Sequence, residues 1–386
     1  MSTQVAVYYF PQYHRDPRND RWHGAGWTEW ELVRAATPRF PGHQQPKVPL
    51  WGYEDEADPT VAARKIEAAA GHAIDTFIYD WYWYDGAPFL NGALDAGFLG
   101  APNNDQLKFA LMWANHDWVS LFPRAHDAIP RLMAPGAASR PQFEAAVEYI
   151  IEHYLAHPSY WRIDGKPYFS LYELMTLMRG LGGLDSTRRA LDWFRERVQA
   201  ELGCDLHLNA IVWGIQILPG ETILTDPLAL VQALGFDSTT SYVWMHHISM
   251  DSFPAVPYPA YAERAARDWQ RLASAYGVPY YPNVSMGWDS SPRTAQGDPF
   301  DPAPGYPYTG VLVENTPAAF ERALAQARDF LQRQPPAQRI LTINSWNEWT
   351  EGSYLEPDTV NGLAYLEAIG CVFGASQAAA AKGQRP

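Results

Sequence analysis

Two glutamates near the end of the chain have the spacing that acid–base chemistry on a single bond would need. Glu348 and Glu351 are three residues apart, so on a helical turn their side chains share one face. Cleavage of a glycosidic bond needs such a pair of carboxyl groups, one that protonates the leaving oxygen and one that stabilises or generates the nucleophile. A pair with this spacing is usually a solvated helix face, but here Trp346, Trp349 and Gly352 surround it directly after an apolar segment. The context therefore favours a functional pair.

A rival pair of acids is weighed against this one. Glu173 and Asp289 follow the fourth and the seventh predicted strands, and acids at these two positions are another common arrangement in barrels. Both pairs would use the same carboxyl chemistry, so the rival pair stays as the alternative.

The elements that must position these acids alternate along the chain. Eight short apolar segments bounded by Gly, Pro, Asp or Asn have the composition of buried strands, and helical patterns lie between several of them. This alternation predicts an α/β fold, a single (β/α)8 TIM barrel whose long βα loops form the active-site cleft. A doubly wound open sheet is the alternative, but no glycine-rich dinucleotide motif follows the first strand. The predicted strands are residues 5–10, 76–79, 109–113, 168–171, 210–213, 238–242, 281–286 and 340–343, and the helices are 60–71, 142–157, 186–202, 261–276 and 317–334.

The residues after these strands are unusually polar and aromatic, and the carboxyl ends of the strands in a barrel share one face. Aromatic residues make up 14% of the chain, including 16 tryptophans, which suits either a large core or a cleft that stacks against sugar rings. Many of the tryptophans lie at or near predicted strand ends, so their position favours the cleft. The segments after the strands contain His14, Asp80, Trp83, Asn115, His116, Trp118, Tyr172, Glu173, Trp288, Asp289, Trp346 and Asn347.

Composition excludes several other classes of function. Acidic residues outnumber basic ones 43 to 29, a net charge of −14, which disfavours a nucleic-acid surface. The only cysteines, Cys204 and Cys371, are too few for a disulfide framework or a cysteine metal site, and no spacing of histidines predicts a metal. No apolar stretch is long enough to span a membrane, and no leader pattern begins the chain, which predicts a cytoplasmic protein unless a leader was removed. One domain over residues 1–375 and a disordered tail over 376–386 are expected, with no prediction of oligomeric state.

Several segments form a recognisable series of motifs. The most specific is residues 344–358, Asn-Ser-Trp-Asn-Glu-Trp-Thr-Glu-Gly-Ser-Tyr-Leu-Glu-Pro-Asp, and residues 8–14 read Tyr-Tyr-Phe-Pro-Gln-Tyr-His. Residues 26–30 (Gly-Trp-Thr-Glu-Trp), 113–118 (Trp-Ala-Asn-His-Asp-Trp) and 287–289 (Gly-Trp-Asp) belong to the same series. Together they closely resemble the WbsX-like group of proteins, which is related to glycoside hydrolase family 99. The resemblance extends over nearly the whole chain.

The resemblance implies a (β/α)8 barrel without a metal or cofactor and the activity of the characterised family 99 enzymes, which are endo-α-mannosidases and mannanases. It implies that Glu348 deprotonates the substrate 2-hydroxyl, whose oxygen then attacks the anomeric carbon to give a 1,2-anhydro sugar. Glu351 would be the acid that releases the aglycone and later activates water, with net retention. A 2-oxygen anti to the leaving group belongs to α-manno sugars and to 6-deoxy relatives such as rhamnose. The expected substrate is therefore an α-manno- or α-rhamno-configured oligo- or polysaccharide of the bacterial or O-antigen type.

Sugar contacts are expected from the same segments. The resemblance implies contacts by Tyr9, His14, Glu29, Asn115, Trp118, Tyr172, Trp288 and Asn347, and neighbouring positions add Trp30, Asp80, Trp83, His116, Glu173, Asp289 and Trp346.

One loop departs from the family pattern, and two other functions stay open. Members commonly read Trp-Ala-Asn-Glu-Asn-Trp where this chain has His116 and Asp117 in the middle positions, which predicts a different sugar subsite. The group is also widely described as glycosyltransferases, although this sequence lacks the Asp-x-Asp motif of many metal-dependent ones. A sugar-binding barrel without catalysis is the third hypothesis, and the presence of both glutamates weighs against it.

Overall fold

Parallel strands form the centre of the molecule. The computed structural model describes residues 3–383, with side chains as far as residue 374. The central sheet runs in the order β7-β6-β5-β4-β3-β2-β1-β9-β8, with every pair of neighbours parallel. Its strands are β1 (Gln4–Tyr9), β2 (Thr76–Tyr84), β3 (Lys108–Trp113), β4 (Lys166–Leu171), β5 (His207–Ile211), β6 (Ser238–Thr240), β7 (Tyr280–Tyr281), β8 (Asn283–Ser285) and β9 (Ile340–Asn344). The predicted parallel α/β barrel is confirmed.

The barrel closes through one bent strand. β7 pairs with β6 through Tyr280 and Tyr281, whereas β8 pairs with β9 from Asn283 onward. Only Pro282 separates the two segments, and proline has no amide hydrogen to donate to a sheet. Its carbonyl still accepts the amide of Thr342 at 3.0 Å. The single predicted strand over 281–286 is therefore two short segments that together occupy the seventh position.

Helices connect the strands and cover the outside of the barrel. Predicted helices are present after the first, third, fourth, sixth and seventh strand positions, and the other crossovers use shorter helices that the sequence pattern did not reveal. The second crossover contains only a π-helical turn, Ala93–Phe98. The helices are α1 (Pro17–His23), α2 (Trp30–Ala35), α3 (Pro59–Gly71), α4 (Arg140–Ile150), α5 (Leu174–Leu181), α6 (Leu184–Leu202), α7 (Pro227–Leu234), α8 (Tyr258–Ala275), α9 (Pro317–Gln332) and α10 (Ala364–Gly383).

The long loops lie at the carboxyl ends of the strands. The loop between β1 and α3 contains α1 and α2, and a short hairpin follows β9, in which Asn347–Glu348 pairs antiparallel with Ser353–Tyr354. Local sequence fixes the end of the first loop, because Asp58 caps α3 by accepting the amide of Thr60 at 2.7 Å and Pro59 occupies the first helical position. These loops and the hairpin form the face on which the candidate site lies.

Two further observations concern the described residues as a whole. None of the helices in residues 3–383 is both long and apolar enough to cross a membrane. Over the same part of the chain, no group of three or more His, Cys, Asp or Glu side chains is arranged to hold a metal ion. In the predicted disordered tail, 376–386, the backbone of residues 376–383 belongs to α10, and residues 384–386 lie outside the described residues, so disorder of the tail stays a prediction.

Candidate functional site

A pocket lies among the loops at the carboxyl ends of the strands. Phe10 after β1, Asp80 and Tyr82 on β2 and Met112 on β3 line its inner side, and loop residues form the rest of its wall. Its lining includes seven of the residues predicted from the sequence: Asp80, His116, Trp118, Tyr172, Trp288, Glu348 and Glu351.

The hairpin after β9 presents both glutamates to this pocket. Glu348 ends its first strand, and Trp349–Glu351 forms one turn of 3-10 helix. Gly352 closes this turn with a φ of +61°, and a Cβ at this position would lie only 2.6 Å from the Cβ of Asp289. Glycine is therefore required for the turn that brings the two glutamates together.

Glu348 is buried beside four other ionisable groups, Tyr242, Arg293, Glu351 and Asp80. Its Oε2 accepts a hydrogen bond from the Tyr242 hydroxyl at 3.0 Å, and Arg293 Nη2 lies 3.8 Å from its Oε1. Burial, with the neighbouring carboxylates of Glu351 and Asp80, raises the pKa of Glu348 well above its usual value, although Arg293 and Tyr242 oppose the shift. A carboxylate with a raised pKa is a stronger base than an ordinary glutamate.

Glu351 has a different environment. Arg293 Nη1 and the Tyr306 hydroxyl both donate to its Oε1, each at 2.5 Å. No described residue forms a hydrogen bond with its Oε2, which leaves that oxygen for a ligand in the pocket. The two glutamates therefore share one arginine but differ in their other contacts.

Arg293 is the central cation of the site. Its side chain is buried, and its Nε donates to Glu29 Oε1 at 2.7 Å while its other nitrogens face the two glutamates. Thr350 also donates to Glu29 Oε1, at 2.5 Å, which ties the 3-10 turn to the same carboxylate. Among residues 3–374 the guanidinium is the only cation within ion-pair distance of Glu29, Glu348 and Glu351, so its position sets the arrangement of both glutamates.

A second buried charge network contacts the hairpin outside the pocket lining. Lys65 on α3 lies 2.9 Å from Glu56 and 2.7 Å from Glu356, with all three side chains almost fully buried. Glu356 accepts the indole N–H groups of Trp346 and Trp349, at 3.0 and 2.7 Å. Although burial alone would lower it, the two carboxylates raise the pKa of Lys65, so the lysine remains charged. These contacts fix the residues on either side of Glu348.

Replacement of Lys65 by methionine should destabilise the protein. Glu56 and Glu356 would remain buried without a cation, a loss of about 3–5 kcal/mol in the free energy of unfolding. The exposed Lys108→Met variant is the matched control and should unfold like the parent. Chemical denaturation monitored by tryptophan fluorescence measures both. Because low pH protonates the orphaned carboxylates, the loss should shrink as the pH falls, and equal stability of the two variants would contradict this role.

The side of the pocket formed by the β5–α7 loop combines a buried carboxylate–histidine contact with apolar side chains. Glu221 accepts the Tyr172 hydroxyl at 2.7 Å and lies 3.4 Å from His246. Its second oxygen accepts the amides of Ile217 and Leu218, each at 2.8 Å. Despite burial, His246 and these hydrogen bonds lower the pKa of Glu221, so the carboxylate stays charged and holds the loop against the barrel.

The structure does not bring the rival acids together. Glu173 caps α5, where its side chain accepts the amide of Thr176. Asp289 accepts hydrogen bonds from His43 at 2.7 Å and Gln45 at 2.6 Å, and these outweigh burial and lower its pKa. Neither acid lines the pocket that contains Glu348 and Glu351, and Asp289 lines a separate depression. Glu173 therefore caps a helix, and Asp289 binds the loop that contains His43 and Gln45.

Several predicted aromatic contacts lie in the core. The Trp30 ring packs on Tyr13 with ring centroids 4.1 Å apart, and the Trp83 ring stacks on Trp81 at 5.6 Å. Burial of the apolar surface of a large ring is favourable in free energy, so rings near strand ends pack against neighbouring elements. The predicted aromatic contacts that lie outside the pocket are Tyr9, Trp30, Trp83 and Trp346.

The remaining polar candidates hold loops in place. The side-chain amide of Asn115 donates to the carbonyl of Glu173 and accepts from its backbone N–H, both at 2.8 Å. Asn347 forms the same two bonds with the backbone of Phe10, also at 2.8 Å. Glu29, Asn115 and Asn347 are buried away from the pocket lining and form such contacts, whereas His14 is buried there and its Nδ1 has no hydrogen-bond partner in the described residues.

Four important side chains were missed in the sequence. Arg293, Tyr242, Tyr306 and Glu221 lie in segments with no apparent motif, and only the folded barrel shows that the first three line the pocket and that Glu221 binds the pocket residue Tyr172. Arg293 follows the Gly-Trp-Asp motif by four residues, so a longer reading of that segment would have included it. Tyr242 lies two residues after β6, at the end of the strand predicted over 238–242, and the direction of its side chain does not follow from the sequence.

Comparisons with known proteins agree with this architecture. Residues 5–369 match the model of a family described as glycosyltransferase WbsX. The chain is 28% identical over 380 residues to the uncharacterized protein WxcX of Xanthomonas campestris pv. campestris, an alignment that covers 94% of this chain and 48% of that protein. The chain thus spans about half the length of the curated relatives it matches.

Solved structures share the fold. The GH99 endo-alpha-mannosidase from Bacteroides thetaiotaomicron, in complex with bis-tris-propane, aligns with a TM-score of 0.61 at 14% identity and covers 98% of both chains. A structure described as a glycoside hydrolase-like protein aligns with the same TM-score at 15% identity, over 96% of this chain and 94% of the other. At these identities the likeness concerns the fold, whereas the family match extends over nearly the whole sequence. The protein belongs to the WbsX family and has a GH99-like barrel.

Proposed function

We propose that the protein is a retaining glycoside hydrolase that cleaves α-manno- or α-rhamno-configured glycans, of the bacterial polysaccharide type, at internal linkages. The observation that carries this proposal is that Glu348 and Glu351 line one pocket at the carboxyl end of the barrel, with Arg293 between them. Paired carboxyl groups at this end of a barrel are the chemical requirement for glycosidic cleavage. The resemblance of the hairpin to family 99 and the shared fold support the same assignment.

The proposed reaction has two steps. Glu348 takes the proton of the sugar 2-hydroxyl as O2 forms a bond to the anomeric carbon, and the bond from that carbon to the leaving oxygen breaks as Glu351 gives this oxygen a proton. In the second step Glu351 takes a proton from water, whose oxygen attacks the anomeric carbon. The bond from that carbon to O2 then breaks, and Glu348 returns its proton to O2. Two inversions give net retention, and both carboxyl groups regain their initial states.

The surroundings of each glutamate suit these roles. The raised pKa of Glu348 makes its carboxylate a better acceptor for the proton of a weakly acidic hydroxyl. The Oε2 atom of Glu351 has no partner in the described residues, so it is available to the leaving oxygen, while Arg293 and Tyr306 hold its Oε1. Arg293 can also stabilise the negative charge that moves between the two carboxyl groups.

A glycosyltransferase is the second candidate, because the matching family carries that description. The two activities differ in what they consume. Incubation of the protein with mannans, rhamnans and bacterial O-polysaccharides, analysed for product size and new reducing ends, tests hydrolysis. A parallel incubation with GDP-mannose or dTDP-rhamnose and an acceptor glycan tests transfer. We expect new reducing ends in the incubation that contains glycan alone. Release of nucleoside diphosphate in the second incubation, with no new reducing ends in the first, would overturn the hydrolase assignment.

The apolar wall of the pocket predicts a preference among these sugars. Met112, Ala114, Leu121, Ile217 and Leu218 line it and offer no polar side-chain atom to hydrogen-bond a sugar hydroxymethyl group. We expect a 6-deoxy sugar to be cleaved about 10- to 100-fold faster, in kcat/KM, than the matched sugar that carries the extra hydroxyl.

Pairs of aryl glycosides that differ only at O6 measure this preference. The pairs are α-D-rhamnoside with α-D-mannoside, and α-L-rhamnoside with α-L-mannoside, so each comparison keeps one configuration. A preference for the hydroxymethyl member in both pairs would contradict the expectation while leaving the hydrolase assignment intact.

A further inference from the structure

A third buried acid shares a tyrosine with Glu348. The Tyr242 hydroxyl lies 2.9 Å from Asp80 Oδ2 and 3.0 Å from Glu348 Oε2, both within hydrogen-bond distance. Asp80 projects from β2, Tyr242 follows β6 and Glu348 lies on the hairpin after β9, so three separate parts of the barrel converge on one phenol oxygen. All three side chains are buried and line the pocket.

The number of protons in this triad follows from hydrogen-bond chemistry. A phenol has one hydrogen to donate and lone pairs to accept, whereas an ionised carboxylate can only accept. If Asp80 and Glu348 were both ionised, Tyr242 could satisfy one of them and would turn a lone pair toward the other. Both short contacts are satisfied when one carboxyl group is protonated and donates to the phenol oxygen.

The surroundings indicate which carboxyl group carries that proton. Arg293 lies beside Glu348, and Asn344 Nδ2 donates to the same glutamate at 3.4 Å, so its negative charge has partners. Asp80 has no cation within ion-pair distance in residues 3–374, and its Oδ1 is buried without a hydrogen-bond partner. An ionised carboxylate in that position would be costly.

The other groups that face Asp80 act in the same direction. The titratable side chains around it are Tyr8 from β1, Tyr82 from β2, Tyr242, Glu348 and Glu351. Each of these groups is neutral when protonated and negative when ionised, so none carries a positive charge that would stabilise an ionised Asp80. Burial, with a contribution from Glu351, raises the pKa of Asp80 well above its usual value, although its contact with the Tyr242 hydroxyl opposes the shift.

We propose that neutral Asp80 donates to the Tyr242 oxygen and Tyr242 donates to the Glu348 carboxylate, so that Asp80 is a positioning residue that orients the base through a shared phenol. The chain of two hydrogen bonds points the tyrosine proton at Glu348 and away from Asp80. It keeps Glu348 ionised and oriented, with its other oxygen directed to Arg293. The protonation pattern stands on its own, whereas its use in the reaction rests on the proposed function.

Asparagine and alanine at position 80 separate this role from that of an ionised acid. The asparagine amide can donate to Tyr242 as a protonated carboxyl does, so Asp80→Asn should keep kcat/KM within about threefold of the parent, and Asp80→Ala should lower it by about 10- to 100-fold. The parent should lose activity at alkaline pH as Asp80 gives up its proton, and Asp80→Asn should lose this part of the decline. Tyr242→Phe should lower kcat/KM to a similar extent as Asp80→Ala. The control is Tyr280→Phe, which removes a hydroxyl that bonds Ser241 and should leave kcat/KM unchanged.

A measurement without substrate tests the proton directly. Infrared difference spectra between the parent and Asp80→Asn at pH 7 should show the C=O stretch of a protonated carboxylic acid in the parent alone. A carboxylate band in its place would overturn the proposal, as would an Asp80→Asn variant as damaged as Asp80→Ala while both melt like the parent. Absence of any hydrolysis by the parent would instead count against the proposed function and leave the infrared result decisive for the protonation.

Discussion

The single substitutions Glu348→Gln and Glu351→Gln should each lower kcat for hydrolysis by a factor on the order of 10²–10⁴ while the sugar still binds. Glutamine keeps the shape of the side chain but cannot take or give the proton that each step requires. Because Glu348 and Glu351 both face the pocket in a hairpin held by buried charges, neither substitution removes the pocket wall. Kinetics on a cleaved glycan and calorimetric binding of a product oligosaccharide measure the two effects separately.

Aryl leaving groups distinguish the two roles. A nitrophenolate leaves without protonation, so the loss in Glu351→Gln should shrink on such a substrate, whereas the loss in Glu348→Gln should remain. Glu173→Gln is the matched control, because Glu173 caps α5 outside the pocket and should affect stability more than turnover. Unchanged turnover in either pocket variant would refute the pair, and loss in Glu173→Gln alone would favour the rival acids.

Arg293→Met should be the most damaging substitution for stability and activity together. It would leave Glu29, Glu348 and Glu351 buried without their cation, at a cost of about 3–5 kcal/mol in the free energy of unfolding. The exposed Arg267→Met is the matched control, since its side chain is 70% exposed. Thermal unfolding measures the difference, and turnover should fall because both glutamates lose the group that orients them.

A second substitution tests whether charge is the cause. Glu29→Gln in the Arg293→Met background removes one uncompensated carboxylate, so the double variant should be more stable than Arg293→Met alone. The losses of stability in Arg293→Met and in Glu29→Gln are each measured against the parent. If the double variant lost the sum of these two amounts, the arginine would act through packing rather than through charge.

The barrel and the central pair could be predicted from sequence because both depend on local patterns. Short apolar segments between turn residues mark the strands, and the hairpin after β9 contains both glutamates within four consecutive residues. Pro282 marks the break between β7 and β8, yet a proline within an apolar segment does not reveal that the two halves pair with different neighbours. The short helices α5 and α7 escaped detection because eight residues contain few turns of a helical pattern.

The aromatic wall was overestimated for a physical reason. Tryptophan near a strand end has the same sequence context whether its ring faces a ligand or the next helix. Among the tryptophans predicted to contact sugar, Trp118 and Trp288 line the pocket, whereas Trp30, Trp83 and Trp346 are buried against neighbouring rings. The surplus of aromatic residues therefore serves mainly the core, and the pocket owes its character to carboxyl groups, Arg293 and apolar loop residues.

Loop residues escaped prediction because their role depends on distant partners. Arg293 meets Glu29 across 264 positions of sequence, and Tyr242 meets Asp80 across 162. A single sequence contains no local signal for such pairs, since only the closed barrel brings the ends of its strands to one face. The predicted acids were therefore found without the groups that set their protonation.

The most direct test of the central claim is proton NMR of the anomeric signals during the first minutes of cleavage of an α-linked mannan or rhamnan. The account predicts that the newly formed reducing end appears first as the α-anomer and then mutarotates, and that neither Glu348→Gln nor Glu351→Gln forms it at a comparable rate. First appearance of the β-anomer, or equal rates in the variants, would contradict a retaining reaction carried by Glu348 and Glu351.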